Sequence, residues 1–277
     1  MTDNNFIQQL LERNKNCCGN FPDKELTEQF IDGLFTFLFA SYKEKNLTQE
    51  ALSQRYQNHK STFEVILFDL LKSQSLVEKN TAIFFEVLPK LYHQLIKDAN
   101  ATLEFDPAAT SIEEVLVAYP GFYATAVHRI AHQLHSQKIP TLPRLLSEYA
   151  HGKTGIDIHP GATIGERFTI DHGTGIVIGE TAIIGNNVKI YQGVTLGALN
   201  VNKASASKKR HPSIQDNVVI YSGATILGGK TVIGHDSTIG GNVWITNSVD
   251  PYSIVYHKSE ITVKGNYDFS EVLNFVI

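Results

Sequence analysis

Two short segments of this 277-residue chain combine side chains that could carry out acid–base chemistry. Asp171 and His172 place a carboxylate next to an imidazole, and Arg210 and His211 place a guanidinium next to a second imidazole. An imidazole titrates near neutral pH and can take a proton from a substrate, and a guanidinium pairs with carboxylates. These four residues are the first candidates for a functional site.

Both segments belong to a region with a six-residue repeat. Every sixth residue is aliphatic, with few exceptions, in two runs: Ile158, Ile164, Ile170, Ile176, Ala182, Val188, Val194, and then Ile214, Ile220, Ile226, Val232, Thr238, Trp244. A fixed short period predicts a solenoid in which each strand buries one residue of the series on a central axis. An all-β sandwich would instead show alternation and wider turn spacing.

The two runs are out of phase, because Val194 and Ile214 are 20 residues apart, two more than three hexads. The spacing predicts that a loop of about residues 199–211 leaves the solenoid and rejoins it at Arg210 and His211. A single Asp or His in a solenoid turn is usually only a solvated corner. Asp171 and His172 depart from this expectation because small residues occupy the other turns.

The N-terminal half has a different pattern. Of 20 glycines, only Gly19, Gly33 and Gly121 precede residue 150, and apolar residues recur at helical spacing. We predict amphipathic helices throughout, including one over 81–97 that Pro89 interrupts or bounds, one over 122–135 and one over 145–151. The fold class is therefore mixed α+β. An all-α assembly domain (1–152) precedes a solenoid of hexapeptide repeats (153–258) and a C-terminal tail (259–277).

Composition excludes several other classes. We see no apolar run long enough to span a membrane and no export signal, so we expect a cytoplasmic protein. The net charge of -4 and a single small basic cluster do not favour nucleic-acid binding. Cys17 and Cys18 are too few for a four-thiolate zinc site, and His128 and His132 lack a third ligand, so we expect no metal.

Longer sequence motifs resemble those of one known protein family. The segments Asp157-Ile-His-Pro160, 170–181 (IDHGTGIVIGET), Val194-Thr-Leu-Gly197 and Arg210-His-Pro212 resemble serine O-acetyltransferases, which belong to the hexapeptide-repeat acetyltransferases. Phe105-Asp-Pro107 and 120–130 (PGFYATAVHRI) are similar to the segments that precede the coils in that family. The resemblance implies a left-handed parallel β-helix, assembled as a trimer or as a hexamer of paired trimers.

The resemblance also implies transfer of acetyl from acetyl-CoA to the hydroxyl of L-serine, for cysteine biosynthesis. An alcohol is hardly acidic near neutral pH, so the reaction needs a general base, and an imidazole base needs a carboxylate to fix its tautomer. Serine is a zwitterion, so it needs carboxylates for its ammonium and cations for its carboxylate. The family pattern assigns these roles to His172 (base), Asp157 (orienting carboxylate), Asp106 and Asp171 (ammonium), and Arg210 and His211 (carboxylate).

Acetyl-CoA is expected as a co-substrate in a groove along the coils, with no permanently bound cofactor. Candidate contacts are the small residues of three turns: Gly197 and Ala198, Ser222 and Gly223, Gly240 and Gly241. The chain departs from the family pattern at Ala198, where a glycine is usual, and after residue 250. The C-terminal Ile277 resembles the residue with which this family can dock into O-acetylserine sulfhydrylase.

Other acyl acceptors compete with serine. A hexapeptide-repeat acyltransferase acting on homoserine, a sugar or an antibiotic would keep one base but would need the paired carboxylates and the Arg-His pair less. A γ-class carbonic anhydrase would need three histidines around one metal, and His159, His172 and His211 share no common position in the repeat.

Overall fold

The computed structural model describes residues 3–15, 20–40, 47–199 and 208–258. Within these ranges, seven helices come first, followed by fourteen short strands. The helices are α1 (Asp3–Lys15), α2 (Lys24–Phe39), α3 (Gln49–Leu71), α4 (Gln74–Phe105), α5 (Ile112–Ala118), α6 (Pro120–Ser136) and α7 (Leu142–Thr154). The strands are β1 (Ile156–Ile158), β2 (Thr163–Ile164), β3 (Thr169–Asp171), β4 (Ile176–Ile178), β5 (Ile183–Ile184), β6 (Lys189–Tyr191), β7 (Thr195–Gly197), β8 (Ser213–Ile214), β9 (Val219–Ile220), β10 (Thr225–Leu227), β11 (Val232–Ile233), β12 (Thr238–Ile239), β13 (Trp244–Ile245) and β14 (Ile254–Val255).

The helices pack into a core of aromatic and aliphatic side chains, as the helical spacing predicts. Phe63 and Phe84 are fully buried, with ring centroids 4.8 Å apart. The expected interruption at Pro89 is wrong, because α4 continues through it to Phe105. None of the helices in the described ranges is long and apolar enough to cross a membrane.

The strands form a parallel β-helix with a triangular cross-section. They make three sheets, ordered β1-β4-β7-β10-β13, β11-β8-β5-β2 and β14-β12-β9-β6-β3, in which all neighbours are parallel. We call these sheets A, B and C in that order. Each coil passes through A, B and C, so three edges (A–B, B–C and C–A) run along the solenoid.

The position of the hexads within the coils differs from the prediction. The buried centre of the first coil is Ile158, Ile164 and Ile170, but the second coil begins with Ile178, which pairs with Ile158. Ile176 is also buried but pairs with Ile156. The C–A turn between β3 and β4 therefore holds two extra residues, and it is the turn that carries His172.

Two further irregularities follow. Thr195 pairs with Thr225, a 30-residue coil, so the loop between β7 and β8 adds about twelve residues to a regular coil. Its expected span of about 199–211 lies partly outside the described residues, at 200–207.

A longer turn after β10 then shifts the series of buried aliphatic residues again, so Ile245 is buried while Trp244 is 70% exposed. The prediction that Trp244 points to the axis is wrong.

A buried ion pair joins the helices to the β-helix. Asp98 of α4 accepts two hydrogen bonds from the Arg129 guanidinium, at 2.7 and 2.9 Å, and one from the Phe168 amide. Arg129 also donates to the carbonyls of Ile164 and Gly165. Because the hydrogen bonds of Asp98 and Arg129 reach the first coil, this network holds the C-terminal part of α4 against that coil.

Candidate active site

Asp171 and His172 lie at the C–A edge in the first coil. Asp171 ends β3, and His172 follows it with φ +59°, a left-handed conformation that turns the chain toward β4. The His172 side chain is 71% exposed, and its Nε2 atom lies 3.8 Å from Asp171 Oδ1, beyond hydrogen-bond distance. The imidazole is thus open to a ligand and close to a carboxylate.

Asp106 reaches the same edge from the helical part. It caps the C-terminus of α4, accepts a hydrogen bond from the Tyr119 hydroxyl at 2.7 Å and another from the Ala108 amide at 2.8 Å. These bonds, with smaller contributions from Lys189 and His172, lower the pKa of the Asp106 carboxyl. Donation to Asp106 raises the pKa of Tyr119 to about 12, so the phenol remains a donor.

Lys189 lies beside Asp171 and against the C-terminal end of α4, and it was not identified from the sequence. It is 7% exposed, and its Nζ donates to the Phe105 carbonyl at 3.1 Å and lies 3.6 Å from Asp171 Oδ2. The Nζ also lies 4.7 Å from the centre of the Tyr191 ring. A lysine on the outer face of a hexad is usually solvated, and only the packing of α4 on sheet C buries this one.

Arg210 and His211 lie at a different edge, A–B, where the loop rejoins the β-helix before β8. The Arg210 guanidinium forms a close ion pair with Glu180, and the Arg210 amide donates to Thr181 Oγ1 at 2.9 Å. The His211 Nδ1 atom accepts a hydrogen bond from the Thr181 amide at 3.0 Å. Glu180 and Thr181, which were named above only within the 170–181 motif, therefore hold both residues.

The environment of His211 keeps its imidazole neutral. Burial, together with the nearby charges of Arg210 and Lys209, lowers the pKa of His211 to about 4. Because Nδ1 is an acceptor, the ring hydrogen of the neutral form is on Nε2. His211 can therefore donate a hydrogen bond to a carboxylate at neutral pH without adding a positive charge.

Lys209 fastens the loop where it rejoins the coil. Its Nζ donates to three backbone carbonyls, those of Thr181 at 2.7 Å, His211 at 2.6 Å and Pro212 at 3.1 Å. All three ammonium hydrogens are thus used in this structure. Lys209 stabilises the positions of Arg210 and His211.

Asp157 does not contact His172 within one chain. It lies on β1, in register with Val177, and its carboxylate forms a group with Glu148 and His151 of α7. Oxygen and nitrogen atoms of these three side chains lie within 4.8 Å of one another, the one potential metal-ligand cluster of the described ranges. No hydrogen bond joins Asp157 to His172 in the described part of the chain, so its orienting role stays a prediction.

The candidate acetyl-CoA residues divide between the same two edges. Ser222, Gly223, Gly240 and Gly241 lie at the C–A edge, in the coils beyond His172, whereas Gly197 and Ala198 lie at the A–B edge, near His211. Gly223 has a structural reason to be glycine, since φ is +71° and a Cβ would lie 2.3 Å from Asn242 Oδ1. A Cβ on Gly241 would lie 3.0 Å from the Ser222 carbonyl oxygen.

The paired histidines of α6 contact other parts of the protein. His128 is 3% exposed, and burial holds its pKa well below its usual value. The Nδ1 of His132 lies 2.8 Å from the Pro160 carbonyl oxygen. His132 therefore joins α6 to the first coil, and His128 lies buried beside it, with ring centroids 5.8 Å apart.

Comparisons with known proteins agree with the site motifs. A segment of 183 residues (66% of this chain) is 48% identical to serine acetyltransferase of Bacillus subtilis and covers 82% of that protein. A segment of 180 residues is 52% identical to the plasmid-encoded serine acetyltransferase of Synechococcus elongatus but spans only 56% of that protein's length. A comparison with protein-family models finds no match.

The fold agrees with a solved structure over most of the chain. The structure of Entamoeba histolytica serine acetyltransferase 1 in complex with L-cysteine is 34% identical, with a TM-score of 0.75 over 85% of this chain and 87% of that one. The prediction of helices followed by a left-handed parallel β-helix is confirmed.

Proposed function

The chain belongs to the serine acetyltransferase family, and from this premise we propose that it moves acetyl from acetyl-CoA to the hydroxyl of L-serine at the C–A edge. The observation that carries the proposal is that an exposed His172 lies close to both Asp171 and Asp106 at the C–A edge. This group combines a general base with two carboxylates for an ammonium. The product is O-acetylserine, and we propose that it is used to make cysteine.

The reaction follows from these groups. The ammonium of serine pairs with Asp106 and Asp171, which places the serine hydroxyl beside His172. His172 takes the hydroxyl proton as the serine oxygen attacks the thioester carbonyl carbon, and the C–S bond then breaks. The proton held by His172 goes to the departing thiolate, and because the serine oxygen attacks the thioester directly, no acyl-enzyme forms. We propose that a backbone N–H at Gly197 or Ala198 stabilises the tetrahedral oxyanion and that Asp157 orients His172.

The serine carboxylate requires the second edge. Arg210 and His211 lie at A–B and His172 at C–A, so one chain does not bring the two groups together. We propose a homotrimer in which the A–B edge of one subunit faces the C–A edge of the next. Several apolar side chains on the outside of the β-helix are available for such contacts: Val177, Ile183, Leu199, Tyr221 and Trp244.

We propose that acetyl-CoA binds in the same arrangement. The C–A edge beyond His172 presents Tyr191, which stacks on Tyr221 with ring centroids 4.9 Å apart, and then the small residues Ser222 and Gly223. We propose that the pantetheine arm follows this edge between two subunits. Lys209 contacts three carbonyls, which leaves Lys208 and Lys230 as the better candidates for the phosphates.

Further assembly is also proposed. The helical part is a candidate surface for pairing trimers into hexamers, and the protein is proposed to act in the cytoplasm.

Ile277 lies outside the described residues, and its docking into O-acetylserine sulfhydrylase stays a proposal. Deletion of Ile277 should abolish co-purification of the two enzymes. Unchanged co-purification would show that this residue is not the contact.

The main test is release of CoA thiol from acetyl-CoA with serine, homoserine and a panel of sugars as acceptors. We expect release with serine, and release with another acceptor alone would assign the chain to that alternative. The His172→Ala variant should lose turnover while keeping the circular dichroism spectrum and melting temperature of the parent. Near-parental turnover in that variant would mean that another residue is the base.

A further inference from the structure

Lys189 is a buried cation at the ammonium site of the proposed reaction. Its charge lies among Phe105 and Asp106 at the end of α4, Asp171 of β3 and Tyr191 of β6. Lysine is seldom buried unless it is paired, and here the exposed fraction is 7%. None of the roles assigned above requires a cation at this position.

The contacts of Lys189 join two structural units. Its Nζ donates to the carbonyl of Phe105, the last residue of α4, where carbonyls lack partners within the helix. The lysine itself belongs to the second coil, with Thr169 beside it on β3. Lys189 therefore ties the helix end that carries Asp106 to the β-helix that carries Asp171.

The charge balance of the site also supports a role for Lys189. Two neighbouring carboxylates without a cation repel each other, and one of them then tends to take up a proton. Lys189, Asp106 and Asp171 together carry a single net negative charge, which matches one incoming ammonium. The other groups facing this region are His172, Tyr119 and Glu114.

We propose that Lys189 is a positioning residue for serine: it fixes Asp106 and Asp171 around one location and screens the repulsion between them, so that together they bind one ammonium. This inference rests on the proposed function, because it takes serine as the acceptor. It predicts that serine binding depends on the charge of Lys189 and that acetyl-CoA binding does not.

The test compares Lys189→Met, which keeps length and removes charge, with Lys189→Arg, which keeps charge. The matched control is Lys97→Met, because Lys97 is another α4-to-coil contact, an exposed pair with Glu166. Steady-state kinetics would be measured from about pH 6 to pH 9, with melting temperatures for every variant.

We expect Lys189→Met to raise KM for serine by about tenfold, because Asp106 and Asp171 then lose the cation that screens their repulsion and ties the end of α4 to the β-helix. KM for acetyl-CoA should change by less than about twofold, and Lys189→Arg should keep the parental pH profile. A purely structural role would lower the melting temperature and affect both substrates at every pH. That result, or an unchanged KM for serine in Lys189→Met, would overturn the inference.

Calorimetric binding of serine without acetyl-CoA separates this inference from the proposed function. If the parent binds serine but releases no thiol, the proposed transfer fails while weaker binding by Lys189→Met still supports the inference. If the parent binds no serine, both fail. If parent and Lys189→Met bind serine equally, only the inference fails.

Discussion

The imidazole of His211 lies directly against Gly179, so that a Cβ built on Gly179 would be 2.0 Å from His211 Cδ2. No real structure tolerates this distance, and the ring would have to move. The glycine therefore defines where His211 can point, and with it the direction of the Nε2 hydrogen.

Gly179→Ala should displace His211 and raise KM for serine by at least about tenfold, since a charge-assisted hydrogen bond to the substrate carboxylate is lost. Steady-state kinetics with varied serine would measure the effect. Gly152→Ala is the matched control, because nothing lies within 4 Å of its added Cβ. Parental KM in Gly179→Ala would show that His211 does not bind the serine carboxylate.

Removal of the Tyr119 hydroxyl should make serine use more sensitive to acid. The Tyr119 hydroxyl is the main cause of the lowered pKa of Asp106, so Tyr119→Phe should raise that pKa toward its usual value. The carboxylate is lost as pH falls through its pKa, so kcat/KM for serine should decline at a higher pH in the variant than in the parent, within the range below about pH 5. The parent and variant should converge at alkaline pH, and a uniform loss at all pH values would contradict this role.

The repeat predicted the β-helix because burial of one aliphatic side chain per strand leaves a strict period in the sequence. Its irregular turns were harder to place, since the step from Ile170 to Ile176 keeps the period by coincidence while two extra residues enter the turn of His172. The apparent two-residue gap between Val194 and Ile214 then concealed a much longer insertion.

Site residues were predictable where the motif is local and not where tertiary packing creates the environment. Asp171 and His172 depart from a small-residue turn, so their position in the repeat identifies them. Lys189 has no such signal, because only the docking of α4 buries it. Likewise, no sequence pattern indicates that Glu180 pairs with Arg210 across the loop.

Arg129→Met should destabilise the fold more than it affects the chemistry. It leaves the Asp98 carboxylate buried without its cation, which costs about 3 kcal/mol or more. Lys97→Met removes an exposed pair between α4 and the first coil and should cost at most about 1 kcal/mol. Urea unfolding at one fixed protein concentration would measure both, and equal costs would mean that the buried pair is not what holds α4.

Mixed oligomers test whether the active site is shared between subunits. His172→Ala and Arg210→Ala should each be inactive alone, because each lacks one side of the serine site. In a mixed trimer, a site is intact when an Arg210→Ala subunit supplies His172 and its neighbour, a His172→Ala subunit, supplies Arg210. Random mixing in equal amounts makes about a quarter of all sites intact, and about a third of the sites in the mixed trimers that carry both variants.

Co-expression with two different affinity tags, followed by tandem purification and the thiol-release assay, measures this recovery. The control mixes His172→Ala with Asp171→Ala, two changes at the same edge, which leaves every site incomplete. Recovery in the first mixture alone supports a site made from the C–A edge of one subunit and the A–B edge of another. No recovery in verified mixed oligomers would place Arg210 outside the serine site of its neighbour.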